Sequence, residues 1–288
     1  MVKDRSKKKM NNIVTRTVSG SAFVVGVIGS IIIGAYACAV MMLVFILWSM
    51  IEYYNIVVKD CIQIGKYIGL LSGVFLFVAG FFYAQNMVSG RIFTFLIPLI
   101  VLIFISQLYS TNPHSFLAIA KLVFGILYIA LPFTLFTGMM FPSLDATLDV
   151  ECQYTPHILL GFFILLWTND TFAYLTGMLF GRRRLFERIS PKKSWEGFFG
   201  GLICTVFMSL LISIIFPIIA YYHWMAVSAI IVVFGVYGDL VESLFKRNMK
   251  IKDSGSFLPG HGGILDRFDS VFLAVPMVFF YFKVLVFQ

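Results

Sequence analysis

Trp224-Met225-Ala226-Val227-Ser228-Ala229-Ile230-Ile231-Val232-Val233-Phe234-Gly235-Val236-Tyr237-Gly238-Asp239-Leu240-Val241-Glu242-Ser243-Leu244-Phe245-Lys246-Arg247 decides the architecture. From Trp224 to Gly238 it carries no charge, and with the residues that follow it reaches the roughly 20 residues that cross a hydrocarbon layer about 30 Å thick as a helix. Asp239 and Glu242 then fall inside the same apolar helix. An acid there is costly unless it faces a polar cavity, a counter-ion or a metal, so this stretch predicts both a membrane span and a functional site.

Similar apolar runs recur along the whole chain, which has 288 residues, 60% hydrophobic and 12% charged, with a mean hydropathy of +0.93. An ordinary soluble domain has about twice that charged fraction. A water-soluble globule, a disordered chain and a disulfide-built scaffold are excluded. Cys38, Cys61, Cys152 and Cys204 lie far apart with no C-x-x-C pair, which leaves zinc or redox chemistry without ligand spacing.

The fold class read from the sequence is all-α: a polytopic integral membrane protein with about nine transmembrane helices, near 18-35, 36-51, 67-86, 92-110, 117-139, 156-178, 195-216, 224-245 and 268-287. Three regions follow: a basic cytoplasmic N-terminus at 1-17, a transmembrane scaffold at 18-155 and a C-terminal catalytic region at 156-288. No charge separates Arg16 from Glu52, an interval too long for one span, so a break is expected at the small residues around Gly34. The alternative for the N-terminus is a cleaved leader, with Lys7, Lys8 and Lys9 as its basic part and Ala35-Tyr36-Ala37 as the cleavage site. The apolar run starts late and continues past that site, which favours a retained anchor.

Net charge +8 suits either nucleic acid or the positive-inside pattern of a membrane protein, and the distribution decides. With the N-terminus inside, 20 of the 22 Lys and Arg fall on the cytoplasmic side, leaving only Arg91 and Lys283 outside. The acidic loop of Asp145, Asp149 and Glu151 also lies outside. No nucleic acid is expected as a partner. The expected location is the cell (inner) membrane, with loops 179-194 and 246-267, and therefore the active site, facing the cytoplasm.

The half up to about residue 140 reads as scaffold, and its glycine-rich helix from Gly65 to Gly80 reads as a close-packing face. Polar chemistry begins at 168, where Trp167-Thr168-Asn169-Asp170-Thr171 places Asp170 inside a span. Asp239, Glu242, Ser243 and Lys246 follow at i, i+3, i+4 and i+7, one helical stripe. The stripe reads as the wall of a funnel opening toward the cytoplasm.

The loop after it is the densest polar stretch of the chain. Lys246, Arg247, Lys250 and Lys252 can neutralise phosphate charge, while Gly260, Gly262 and Gly263 suit an anion-binding nest. His261 is open between a general base, a phosphate donor and a brace of the turn. Asp266 and Asp269 stand three apart at the start of the last helix, where they can share a hard cation with Asp239, or one of them can cap the helix. In the other basic loop, Arg182, Arg183 and Arg184 at a helix end read mainly as topogenic or lipid-contacting charge. Ser190-Pro191-Lys192-Lys193-Ser194-Trp195-Glu196-Gly197 is more specific, with its lysines expected at a helix start that favours phosphate.

Ser243-x-x-Lys246-Arg247, Lys252-Asp253 and Pro259-x-His261-Gly262-Gly263-x-x-Asp266-Arg267-x-Asp269 together resemble the C-terminal signature of CDP-diacylglycerol synthases, also called phosphatidate cytidylyltransferases. Asn169-Asp170-Thr171-x-Ala173-Tyr174, Ser190 to Gly197 and Gly238-Asp239-Leu240-x-Glu242-Ser243 are similar to that family's upstream motifs and keep their order. The motif resemblance covers residues 168-270. Upstream, only hydropathy and the Glu52 that ends the second apolar stretch are similar. Ser194 stands where a threonine is common, and the loop around Asp145 has no counterpart.

The resemblance implies CTP and phosphatidate as substrates, CDP-diacylglycerol and pyrophosphate as products, a polytopic helical fold and a homodimer among membrane lipids. It implies that Asp239 and Asp266 hold the catalytic metals, Mg2+ with K+ beside it, and Glu242 and Asp269 are further metal candidates. Asp239, Asp266, Lys246, Arg247 and Asp170 form the expected catalytic set. Substrate binding is assigned to Ser190, Lys192, Lys193, Ser243 and Lys252, and to His261, Gly262, Gly263 and Arg267 of the signature loop. A CTP-dependent polyprenol or phytol kinase shares the lipid-plus-CTP logic but transfers the γ-phosphate. A transporter is the non-enzymatic alternative, and it predicts paired broken helices, whereas the polar sites here lie in one half.

Overall fold

The computed structural model describes residues 2–58, 63–111, 113–142, 153–255 and 262–286, with side chains described from residue 18 onward. His261, Gly260 and the acidic loop of Asp145, Asp149 and Glu151 lie outside the described residues. Among the described residues, eight helices are long and apolar enough to cross a membrane, and a ninth apolar segment, Val18–Ile33, is shorter.

Helix α1 (Val2–Ile33) ends one residue before Gly34, whose φ of +144° belongs to glycine, and α2 (Ala35–Val57) starts at once. The expected break thus falls on the residue whose missing Cβ permits it. Ala35, Tyr36 and Ala37 form the first turn of α2. The basic segment 1-17 is helical from Val2 and continuous with α1. No Gly or Pro interrupts Val2 to Ser19, so nothing in the sequence stops the helix there.

The scaffold continues with α3 (Gln63–Ala84), a 3₁₀ turn (Gly90–Phe95) leading into α4 (Leu96–Leu108), and α5 (Ser115–Gly125). A π-helical turn (Ile126–Ala130) joins α5 to α6 (Leu131–Met140). Pro132 lacks the N–H that a regular helix needs, and the widened turn just before it absorbs the mismatch. The C-terminal end of α2 is fastened to α5. The Tyr54 hydroxyl donates to Leu122 O at 2.8 Å, and Lys121 Nζ donates to Val57 O at 3.1 Å.

In the C-terminal region, α7 (Pro156–Phe180) packs along α8 (Trp195–Ile215), α8 against α9 (Tyr221–Asn248), and α9 along α10 (Asp269–Tyr281). One aromatic core joins this region to the scaffold: Phe133 and Phe136 of α6 meet Phe268 and Phe162 at centroid separations of 5.0 and 5.2 Å.

The expected loop 179-194 holds the sole sheet among the described residues, an antiparallel hairpin of β1 (Arg184–Phe186) and β2 (Ser190–Ser194) with Arg184 opposite Ser194. Lys192 and Lys193 therefore lie on a strand just ahead of α8, correcting the expectation that they begin the helix. Pro191 holds its own φ and biases Ser190 toward an extended backbone. Ser194 then caps α8, its Oγ accepting from Gly197 N at 3.1 Å.

Candidate active site

A cavity of about 970 Å³ is bounded by α1, α7, the hairpin, the starts of α8 and α10, and α9. Phe23 and Val24 of α1 and Trp167, Tyr174 and Met178 of α7 give it apolar walls. Asp170, Lys192, Lys193, Asp239, Asp266, Arg267 and Asp269 supply polar ones. The packing of α9 on α10 explains how two acids from different helices reach one wall. A Cβ at Gly238 would meet the Asp269 carbonyl oxygen, so only glycine lets the backbones close in beside Asp239 and Asp269.

Lys193 Nζ stands 2.6 Å from Asp239 Oδ2, and Asp239 Oδ1 accepts from Ser243 Oγ at 3.2 Å. The expected stripe on α9 divides here. Asp239 lines the cavity, whereas Glu242 turns into the protein interior and is fully buried, paired with Lys246. Residues three apart on a helix share a face but point roughly 60° apart around its axis, and here that offset turns Glu242 to the interior beside the wall that Asp239 forms. Lys246 then reaches Asp266 Oδ1 at 2.9 Å and links the buried pair to the cavity wall.

Asp266 sits in a 3₁₀ turn (Leu265–Arg267) that leads into α10. Its Oδ2 accepts from Ser254 N and Gly263 N, both at 2.9 Å. Gly262 has the expected positive φ, +83°. The anion that the Gly263 amide holds here is the protein's own Asp266. Burial raises the Asp266 pKa, but its contacts with Glu242 and Lys246 and its two backbone hydrogen bonds outweigh this and hold the carboxyl below the ordinary range.

The other expected residues divide by place. Asp170, Lys192, Lys193, Arg267 and Asp269 line the cavity, whereas Ser190, Arg247 and Lys252 do not, and Arg247 and Lys252 are exposed. Asp269 is the first residue of α10, with its Oδ1 2.6 Å from Ser270 N. The arginine run is also split: Arg184 lines the cavity, while Glu196 takes the backbone N–H groups of Arg182 and Arg183, each at 3.1 Å. Sequence reasoning missed the α1 wall and Arg184. Gly20, Phe23 and Val24 look like any apolar helix face, and a three-residue strand is too short to show in the sequence that Arg184 lines the cavity.

Carboxylate oxygens are the donors that hard divalent cations take. Among the described residues no three Asp, Glu, His or Cys form a ready cage, and lysines occupy one oxygen each of Asp239 and Asp266. This donor set fits an ion that keeps water and substrate phosphates in its shell, as magnesium does, better than one held wholly by protein.

Fold and site together define a polytopic α-helical membrane protein with a carboxylate- and lysine-lined cavity walled in part by apolar side chains. The chain belongs to the Cytidylyltransferase family, whose model matches residues 14–285. It is 41% identical over 170 residues to a phosphatidate cytidylyltransferase of Staphylococcus saprophyticus subsp. saprophyticus. It is 39% identical over 171 residues to proteins of the same name from Staphylococcus haemolyticus and Staphylococcus aureus. Each alignment covers 59% of this chain and spans 61% of the relative's own length.

Proposed function

We propose that this protein transfers a cytidylyl group from CTP to phosphatidate, giving CDP-diacylglycerol and pyrophosphate. The observation that carries this reading is the mixed lining of the cavity, where Phe23, Val24 and Met178 suit acyl chains and Lys192, Lys193, Arg184 and Arg267 suit phosphates. One substrate is confined to the bilayer and the other is a polyanion in water, so a site serving both needs these two linings in one space. The names of the relatives agree with it.

In this reaction a phosphatidate phosphate oxygen attacks the α-phosphorus of CTP, the bond to the β-phosphate oxygen breaks, and pyrophosphate leaves. Lys193 and Lys192 offset phosphate charge, and Arg184 and Arg267 hold the outer phosphates in line for displacement. Lys193 releases Asp239 as it turns to phosphate. Lys246 keeps Glu242 neutralised and Asp266 oriented. Asp239 and Asp266 would hold Mg2+, with Asp269 nearby and K+ as a companion, and the bound ion would supply positive charge for the transferring phosphate and the leaving group. Asp170 organises the polar wall. No covalent enzyme intermediate is needed.

The positive-inside distribution supports a site facing the cytoplasm, with the N-terminus on the same side, in the cell membrane. The family resemblance supports a homodimer. Incubation of the purified protein with labelled CTP, phosphatidate and magnesium tests the reading. CDP-lipid with pyrophosphate supports it, and a phosphorylated lipid with CDP would assign the chain to the lipid-kinase class instead.

A further inference from the structure

Between Asp4 and Asp60 the sequence holds a single acid, Glu52. It belongs to α2, in the region read as scaffold, and is only 8% exposed. Its donors among the described residues come from the signature loop. Ile264 N donates to Oε1 at 3.2 Å, Leu265 N to Oε2 at 3.0 Å, and Ser254 Oγ to Oε2 at 3.3 Å. A methyl group at Gly255 or at Gly263 would collide with the same carboxylate. Glu52 thus grips the loop on both sides of its central part.

Asp266 grips the same two places from the other side, through Ser254 N and Gly263 N. Ser254 is shared, giving its hydroxyl to Glu52 and its amide to Asp266. Leu265, which donates to Glu52, is bonded directly to Asp266. A link between α2 and the loop needs no charge, since apolar packing often replaces a buried ion without loss of stability. A carboxylate with three donors fixes direction as well as distance, and moving any one of the three rotates the peptide that carries Asp266.

We infer that Glu52 is a positioning residue for the transfer reaction: it holds the Ile264 and Leu265 backbone so that Asp266 meets Lys246 and faces the cavity. The inference rests on the proposed function, and its test separates the two. Glu52→Gln puts an amide NH2 against at least one N–H or hydroxyl donor while keeping size and shape. In the full-length protein, Glu52→Gln should lower kcat ten- to a hundredfold, leave KM for phosphatidate within about twofold and raise the magnesium concentration needed for half-maximal rate. Glu52→Asp, which keeps the charge, should recover part of kcat. Hydrogen exchange provides a readout that needs no turnover: the amides of Ile264 and Leu265 should lose protection in Glu52→Gln, with those of α7 unchanged. Wild-type kcat and magnesium dependence in Glu52→Gln would overturn the inference. So would a loss explained wholly by less folded protein of normal specific activity. If the wild-type protein forms no CDP-lipid, the proposed function falls, and retained protection at Ile264 and Leu265 in Glu52→Gln overturns the positioning role independently.

Discussion

Lys193 of β2 and Asp239 of α9 meet at 2.6 Å on the cavity wall, and both side chains remain about a quarter to a third exposed. The neighbouring pair differs: Lys246 contacts a Glu242 that has no exposure at all. A partly exposed pair can exchange partners at modest cost, whereas separating a buried one leaves an uncompensated charge. Lys193 is therefore the lysine free to move onto a substrate phosphate, and Lys246 is a fixed strut.

Replacing Asp239 or Asp266 by asparagine keeps the shape and removes the charge that would hold a cation. Each substitution should lower turnover by about a hundred- to a thousandfold, the range for losing one preorganised electrostatic contact in a transition state. Membrane insertion should persist, because an amide is easier to bury than a carboxylate. Assay of purified, correctly inserted protein checks this, and near-normal turnover in either variant would remove that residue from the metal site.

The arginine run should divide as the structure divides it. Lys193→Ala and Lys192→Ala should each cost about 1.5–3 kcal/mol, or ten- to a hundredfold in kcat/KM for CTP, the range for hydrogen bonds to charged groups. Arg184→Ala should approach that loss because its side chain lines the cavity. Arg182→Ala should change little, since Glu196 holds its backbone rather than its guanidinium. Equal losses at Arg182 and Lys193, with unchanged topology, would show that the whole run contacts substrate.

The spans were legible because length and hydropathy set them almost alone, and Gly34 was legible because only glycine suits that break. Asp170, Asp239 and Glu242 were legible as acids inside apolar helices, and Asp269 as a carboxylate at the start of the last one. Which face of α9 each acid takes was not, because the periodicity gives a stripe but not the neighbour it meets, and Glu242 turned inward to Lys246. The hairpin was hidden by its short strands. Glu52 stood out in composition, yet its partners lie more than two hundred residues away in sequence, a relation that only the folded chain displays.

Orientation can be read with single-cysteine variants in intact cells or spheroplasts. Cysteines at positions near Lys192 and Lys250 should resist an impermeant reagent added outside, and one near Asp149 should react. The basis is the concentration of Lys and Arg in the first two regions and of acids in the third. Labelling near Lys192 from outside would reverse the membrane orientation and, with it, access of CTP to the site.

Gly238→Ala tests whether the close approach of α9 to α10 builds the site. The added methyl would meet the Asp269 carbonyl oxygen and the Ser270 backbone, atoms of a helix start that cannot rotate away as a side chain can. Overpacking of this kind costs about 1–3 kcal/mol, and the relief is to move α10 outward, carrying Asp269 away from Asp239. Activity should fall at least tenfold, with a lower melting temperature in detergent. Gly235→Ala on the same helix meets only ordinary contacts with Leu166 and Ser270 at 3.6 Å, so it should disturb helix packing far less and serve as the comparison. If Gly238→Ala keeps full activity while Gly235→Ala loses it, the carboxylates do not depend on this helix contact, and the arrangement of Asp239 with Asp269 has another origin.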